Sequence, residues 1–345
     1  MTTEQLLDAV LAVEGVSIGL AILAIVGHAR SVATDDRSLA QRMRTGRTLL
    51  LAVIEGSIDD DLVERVQRLG RRTQIRLLAE VAPSLEGAER ARLRELATRL
   101  GMVARAERQC HSRWWWRRLY ATRVLTLADA GDDVMPGLID DPHQLVRTQV
   151  AEWAALHPAP SMLLALVALL DDQKAIARFA VQDTLLRIGR PAVPAIMSSI
   201  RTMSPLGIAS GLVVAARLGD AELLPLGLSF RDHPDPAVRS GAADVLGAIG
   251  GDEAVDGLLG LLADPAIEVR RSAARGLGRL EHWASAAALR PLLGDPAWLV
   301  RRESALALTA MGAPGSLILR TALRSSDRFA ADIAAQALGL RTERA

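Results

Sequence analysis

Asparagine is absent from this 345-residue chain, and Lys174 is its only lysine. Arginine therefore carries almost all of the basic charge, so a single arginine says little by itself. The formal net charge is only +1, which leaves no global basic field to draw in nucleic acid. Cys110 is the only cysteine. An internal disulfide and a Cys-based metal site are both excluded, and the pattern fits a reducing compartment. Aromatic residues make up 3% of the chain while half of it is apolar, so Leu and Ala supply the buried surface. That composition suits close helix packing and argues against a β-sandwich.

The chemistry of an enzyme is equally sparse. The histidines are His28, His111, His143, His157, His233 and His282, scattered with no metal-ligand spacing. Adjacent Cys110 and His111 point apart on a helix, which argues against a nucleophilic dyad. Asp59 to Asp61, Asp140–Asp141 and Asp171–Asp172 read as helix starts and turns. No glycine-rich phosphate loop is present; the glycines mark helix ends. No catalytic residue, metal or cofactor is expected.

What is present is a period. Arg117, Arg147, Arg178, Ile208, Arg239, Arg270, Arg301 and Ala331 follow one another at 30 or 31 residues. Tyr120, Val150, Val181, Gly211, Ala242, Ala273, Ser304 and Ala334 lie three residues on. Ile139, Leu169, Ile200, Phe230, Leu261, Leu292 and Leu323 lie twenty-two on. Such a period predicts stacked helical pairs, in which each unit buries its apolar face only against its neighbours. Apolar residues at +3, +7 and +10 from each anchor share one helix face. Before the period starts, amphipathic stretches predict helices at about 39–56, 60–69, 71–82, 86–100 and 102–110.

The clearest run is LLADPAIEVRRSAARGLGRLEHWASAAALRPLLGDPAWLVRRESALALTAMG, from Leu261 to Gly312. Asp264–Pro265 and Asp295–Pro296 read as helix starts, with Asp capping free N–H groups. The pattern D-P-x-x-x-V-R-x-x-A-x-x-x-L-G resembles HEAT repeats, in particular the short HEAT-like units of the phycobilin-lyase type. It covers about 112–341. The resemblance implies an all-α, right-handed α-solenoid of helical hairpins, and a role in holding partner proteins. In HEAT repeats, Asp and Arg at these places bridge neighbouring units, which is the expectation for Asp141, Asp172, Asp264 and Asp295 with Arg147, Arg178, Arg270 and Arg301. Arg239 has His233 in place of the Asp. The fourth unit, Pro205 to Leu218, is very apolar and lacks the Asp–Arg pair; a kink, a binding site or both would explain it. The last unit also lacks the Arg, as a terminal cap would.

One hydrophobic run stands apart: VLAVEGVSIGLAILAIV, Val10 to Val26. With Ala9 and Gly27 it is long enough to cross a bilayer core. No Lys or Arg precedes it, whereas Arg30, Arg37, Arg42, Arg44 and Arg47 follow. The positive-inside rule then places the C-terminal side in the cytoplasm. Residues 1–29 are thus expected to form a transmembrane helix at the inner (cytoplasmic) membrane, followed by an irregular helical region at 30–111 and the repeats at 112–345. Gly15 and Gly19 have the small-xxx-small spacing of membrane-helix contacts, and Glu14 adds a polar contact.

Arg113, Trp114, Trp115, Trp116, Arg117 and Arg118 form the oddest segment. Three consecutive helical residues point about 100° apart, so one core cannot bury all three tryptophans. Trp and Arg are enriched in binding hot spots. Partner contact is therefore assigned to Glu14, Gly15, Gly19, Arg113, Trp114, Trp115 and Arg118. The whole layout resembles bacterial membrane-anchored HEAT-repeat proteins, some encoded near polysaccharide glycosyltransferases. That implies a non-enzymatic scaffold for an integral membrane enzyme. The alternative is a soluble HEAT-like adaptor or maturation factor with 9–27 as a buried helix; the third reading is a nucleic-acid binder, since Arg with aromatic neighbours at 113–118 can track phosphate and stack bases.

Overall fold

The computed structural model describes residues 39–56 and 58–340. These fall into two compact units, one ending at Gly131 and one beginning at Asp132. Every regular element among the described residues is helical.

The first unit opens with α1 over 39–55. It continues with α2 (Asp60–Arg68), α3 (Arg71–Val81), α4 (Gly87–Arg99), α5 (Met102–Cys110) and α6 (Trp115–Ala128). These bounds follow the amphipathic pattern closely because local chemistry marks both ends. The Asp59 carboxylate accepts the Leu62 amide at 2.7 Å and caps α2. Gly70 and Gly101 stand between helices at φ 78° and 65°, where a side chain would be strained. Leu50, Val66, Leu77, Leu78, Leu96 and Ala97 make the core. The buried Gln74 amide donates to the carbonyls of Val66 and Gln67 at 3.1 and 3.2 Å, tying α3 to the open end of α2. Arg94 reaches Asp129 at 2.7 Å, on the left-handed residue that ends α6.

The second unit alternates longer and shorter helices. They are α7 (Gln144–Ala154), α8 (Pro160–Ala168), α9 (Ala175–Ile188), α10 (Val193–Ser199), α11 (Pro205–Leu218), α12 (Leu224–Phe230) and α13 (Pro236–Ile249). The unit ends with α14 (Asp252–Leu261), α15 (Ile267–Arg279), α16 (Ala286–Leu289), α17 (Trp298–Ala310), α18 (Ala313–Ala322) and α19 (Arg328–Ala337). The odd-numbered helices pack on one another in sequence: α7 on α9, α9 on α11, and so to α19. Leu246, Leu258, Val269, Leu277, Leu289, Leu293, Val300 and Leu308 are closed from solvent between them. Small residues let the backbones approach: a Cβ on Gly278 would lie 2.7 Å from Cα of Ala307.

The packing position three residues past each anchor is buried at Val150, Val181, Ala242, Ala273, Ser304 and Ala334. It fails only at Tyr120, which is 46% exposed, while the next residue, Ala121, is fully buried. The reason is a register shift. Arg118 donates to the backbone carbonyl of Ser112, six residues back, at 2.8 Å. Arg147 and Arg178 do the same to Asp141 and Asp172. The anchor of the first unit is Arg118, and the step to Arg147 is one residue short of the period.

The apolar α11 is a core element, one continuous helix over Pro205–Leu218. Ile208, Gly211, Leu212, Val214 and Ala215 are buried between neighbouring helices. In place of the Asp–Arg pair, the Asp171 carboxylate accepts the Ser204 amide at 3.0 Å and its hydroxyl, while the Ser204 hydroxyl caps α11 at the Gly207 amide.

The expected single-pass placement at the inner membrane needs correction. No helix among the described residues is long and apolar enough to cross a membrane. A span needs about 20 apolar residues, whereas the helices from α2 to α19 reach at most 14. The stretch on which the expectation rested, 9–27 with Glu14, Gly15 and Gly19, lies outside the described residues.

Candidate protein-binding surface

The repeated Asp–Arg pairs are the first polar feature of the second unit, and their geometry decides whether they bind something or hold the repeats together. Each Asp serves two partners at once, a turn amide and an arginine. Asp264 Oδ1 accepts the Ala266 amide at 2.8 Å and Arg239 Nη2 at 2.9 Å, and its Oδ2 accepts Arg239 Nε at 2.7 Å. Asp295 repeats this with Ala297 and Arg270, at 2.8, 3.0 and 2.7 Å. Asp172 takes the Lys174 amide and Arg147. The partner arginine thus lies 25 residues upstream, in the preceding unit, and a bidentate fork joins the two. The aspartates turn the chain ahead of the helix instead of capping it: α15 starts at Ile267 and α17 at Trp298. That placement leaves the second carboxylate oxygen free to receive the guanidinium.

The pairs are enclosed. Side-chain exposure is 7% for both Asp264 and Asp295, and 14% and 15% for Arg239 and Arg270. With every oxygen occupied they form inter-repeat joints, not ligand sites. The two departures are filled differently. His233 takes the place of an Asp and its Nδ1 accepts the Asp235 amide at 3.1 Å. Arg301 has Ser326, not an Asp, 25 residues on in the next unit, and lies over the Phe329 ring at 4.4 Å.

Burial by itself would raise the Asp264 and Asp295 carboxyls. Hydrogen bonds from Arg239 and Arg270 and from the turn amides, with the guanidinium charges, outweigh it and hold both below the ordinary carboxylate range. A carboxyl depressed on folding stabilises above its unfolded pKa, about 4, and loses that contribution as pH falls through the folded value. Urea unfolding of the chain at pH 6, 4 and 3 is therefore expected to show a fall in stability below about pH 4. The Asp264→Asn/Asp295→Asn variant should show a shallower fall; an equal slope would refute the assignment.

The start of α6, in the first unit, is built differently. Trp114 precedes the helix, and Trp115 and Trp116 open it. None is buried: they are 39%, 37% and 48% exposed. Trp116 stacks on Trp114 with centroids 4.6 Å apart, and Trp115 meets Trp116 edge-on at 6.1 Å. The Arg113 guanidinium covers the Trp114 ring at 4.6 Å. Mutual stacking lowers the cost of keeping so much aromatic surface in water. Arg118 stays beneath, bonded to the Ser112 carbonyl. Trp116, the most exposed of the three, and Tyr120 one turn on were not among the assigned contacts. The triplet itself pointed to Trp116; Tyr120 was hidden by the register shift. Tyr120 borders a cleft of about 60 Å³ with Arg71, Arg105 and Gln109, which has room for a few waters.

Cys110 is buried; desolvation first, and then the charge of Glu107, push its thiol up to about 11, so it carries no nucleophilic thiolate at neutral pH. Among the described residues no three His, Cys, Asp or Glu side chains are grouped to hold a metal.

The chain is similar to several solved structures at low identity. One is Escherichia coli YibA, at 16% identity over 74% of this chain and 97% of that one, with a TM-score of 0.41. Another is the complex of CpcE and CpcF of phycocyanin lyase from Nostoc sp. PCC7120, at 18% identity over 69% and 93%, with a TM-score of 0.33. A third is human deoxyhypusine hydroxylase in complex with glycerol, at 19% identity over 69% and 95%, with a TM-score of 0.30. No curated protein matches the sequence. The family model for HEAT repeats matches residues 208–267 and 258–339. The helical pairs from α11 to α19, joined through Arg239–Asp264 and Arg270–Asp295, are HEAT repeats.

Proposed function

We propose that this chain is a non-catalytic adaptor that holds a partner protein against the start of α6. The reading follows the adaptor alternative drawn from the sequence. The observation that carries it is the exposed aromatic cluster. Three tryptophans, each more than a third exposed, are held together by stacking and by Arg113. Large rigid aromatic rings beside a guanidinium are the side chains that dominate binding energy when a partner desolvates them. The occupied oxygens of Asp264 and Asp295, and the buried, protonated Cys110, support a role that is structural rather than chemical.

The experiment compares the full chain with Trp114→Ala/Trp116→Ala. Hot-spot truncations cost about 2 kcal/mol or more, or roughly a 30-fold loss of affinity. Proteins captured quantitatively from the source cell, and the affinity of the strongest of them measured with purified components, should fall by about that factor. Circular dichroism and the unfolding midpoint should stay unchanged. Retained affinity would sink the proposal, as would a loss of helicity showing that the rings serve packing at the start of α6.

A further inference from the structure

The last two repeats hold a cavity of about 450 Å³ whose charged lining is all of one sign. Arg290, at the end of α16, faces it together with Arg320 and Arg324 from α18 and the turn that follows. Thr321 and Ser325 add hydroxyls, and Leu317, which is 67% exposed, forms an apolar edge. No Asp or Glu lines it.

Arginine is the default basic residue of this chain, and many of its arginines meet acids. Arg47 pairs with Glu80, Arg68 with Glu64, Arg187 with Asp183, and Arg190 with Asp220 and Glu222. Arg239, Arg270 and Arg275 pair with Asp264, Asp295 and Asp244. Arg290, Arg320 and Arg324 have no ion-pair partner among the described residues. A basic side chain near a helix C-terminus complements the helix dipole, which accounts for one guanidinium at the end of α16 and one at the end of α18. It does not account for three around a single cavity with no carboxylate on its lining.

We propose that this cavity binds a phosphate group. Guanidinium forks match phosphate oxygens with paired hydrogen bonds and keep their charge at every physiological pH. The Ser325 oxygen accepts the Asp327 amide at 3.1 Å, which leaves its proton to donate. A dianion relieves three like charges better than a carboxylate does, so phosphate is preferred over a carboxyl side chain. The site lies on the second unit and is separate from the tryptophan cluster, so it stands whether or not that cluster binds a protein.

The test is calorimetric titration of the full chain with inorganic phosphate and, separately, with acetate and with a phosphoserine peptide. Phosphate is expected to bind and acetate to bind far more weakly. Arg320→Gln/Arg324→Gln should weaken phosphate by about tenfold or more, with an unchanged unfolding midpoint. Lys at both positions should restore part of the loss, since the charge returns without the fork. A phosphoserine peptide that binds more tightly than inorganic phosphate would place the phosphate on a protein partner; equal or weaker binding would place it on a free ligand. No phosphate binding by the unaltered chain would overturn the site, as would equal binding by the glutamine variant.

Discussion

Replacing Gly247 with Leu is expected to lower the stability of the repeat unit by about 3 kcal/mol or more. Gly247 on α13 faces Gly276 on α15, backbone to backbone. A Cβ at Gly247 would fall inside van der Waals contact of the Gly276 Cα, and a backbone cannot rotate away as a side chain can. The two helices would have to separate, opening the interface that Leu246, Leu258, Val269 and Leu277 close. Because each repeat packs only on its neighbours, a gap here weakens the coupling between two blocks of the stack. The reciprocal change is milder. A Cβ at Gly276 meets a methyl of Leu258 at 2.9 Å and the Gly247 Cα at 3.2 Å. The first can move, and alanine regains roughly 1 kcal/mol of helix propensity. Gly276→Ala should therefore cost little. Gly260→Ala on α14, where nothing lies within 4 Å, should be neutral or stabilising. Urea unfolding followed by helical circular dichroism reads all three. A Gly247→Leu midpoint equal to that of the unaltered chain would show that α13 and α15 do not meet as described.

The second large effect is expected at Asp295. Asp295→Ala removes both bonds to Arg270 and the acceptor for the Ala297 amide. Arg270 would be left with its guanidinium 15% exposed and only its bonds to the Asp264 and Pro265 carbonyls. Breaking a buried pair from one side costs about 3 to 5 kcal/mol, and the residual exposure here puts the expectation at the lower end. Asp295→Asn keeps an acceptor for the turn and loses the charge, so it should cost clearly less. Asp183→Ala, which removes the exposed partner of Arg187, should cost under about 1 kcal/mol. A loss that falls from Asp295→Ala through Asp295→Asn to Asp183→Ala separates burial from charge. Equal losses at Asp295 and Asp183 would mean that the inter-repeat joints add no more than surface pairs do.

Most of the fold was legible in the sequence because helical repeats are local. Caps and left-handed glycines bracket α2 to α5 within a residue or two of the amphipathic pattern, since each end depends on neighbouring residues alone. The residues three past each anchor are buried from Val150 to Ala334, because the same helix face turns inward in every unit. Two details escaped. Arg117 and Arg118 satisfy the spacing almost equally well, and only the bond to the Ser112 carbonyl distinguishes them. The aspartates looked like helix caps because Asp–Pro often is one. In the structure they stand ahead of the helix, where one carboxylate serves a turn and an arginine together.

Of the sites, the sequence could name the Trp114–Trp116 segment and argue that one core cannot bury it. How much of each ring meets water depends on what packs beside the start of α6, which spacing does not encode. The arginine cavity was invisible for a related reason. Arg290 is separated by 30 and 34 residues from Arg320 and Arg324, in a chain where arginine is everywhere. By itself the sequence determined an all-helical repeat, its period and its buried face, because these follow from side-chain periodicity along single helices. Tertiary structure decided which Asp meets which Arg, which aromatic rings stay in water and where three like charges converge. Those outcomes depend on side chains that meet only when separate helices pack.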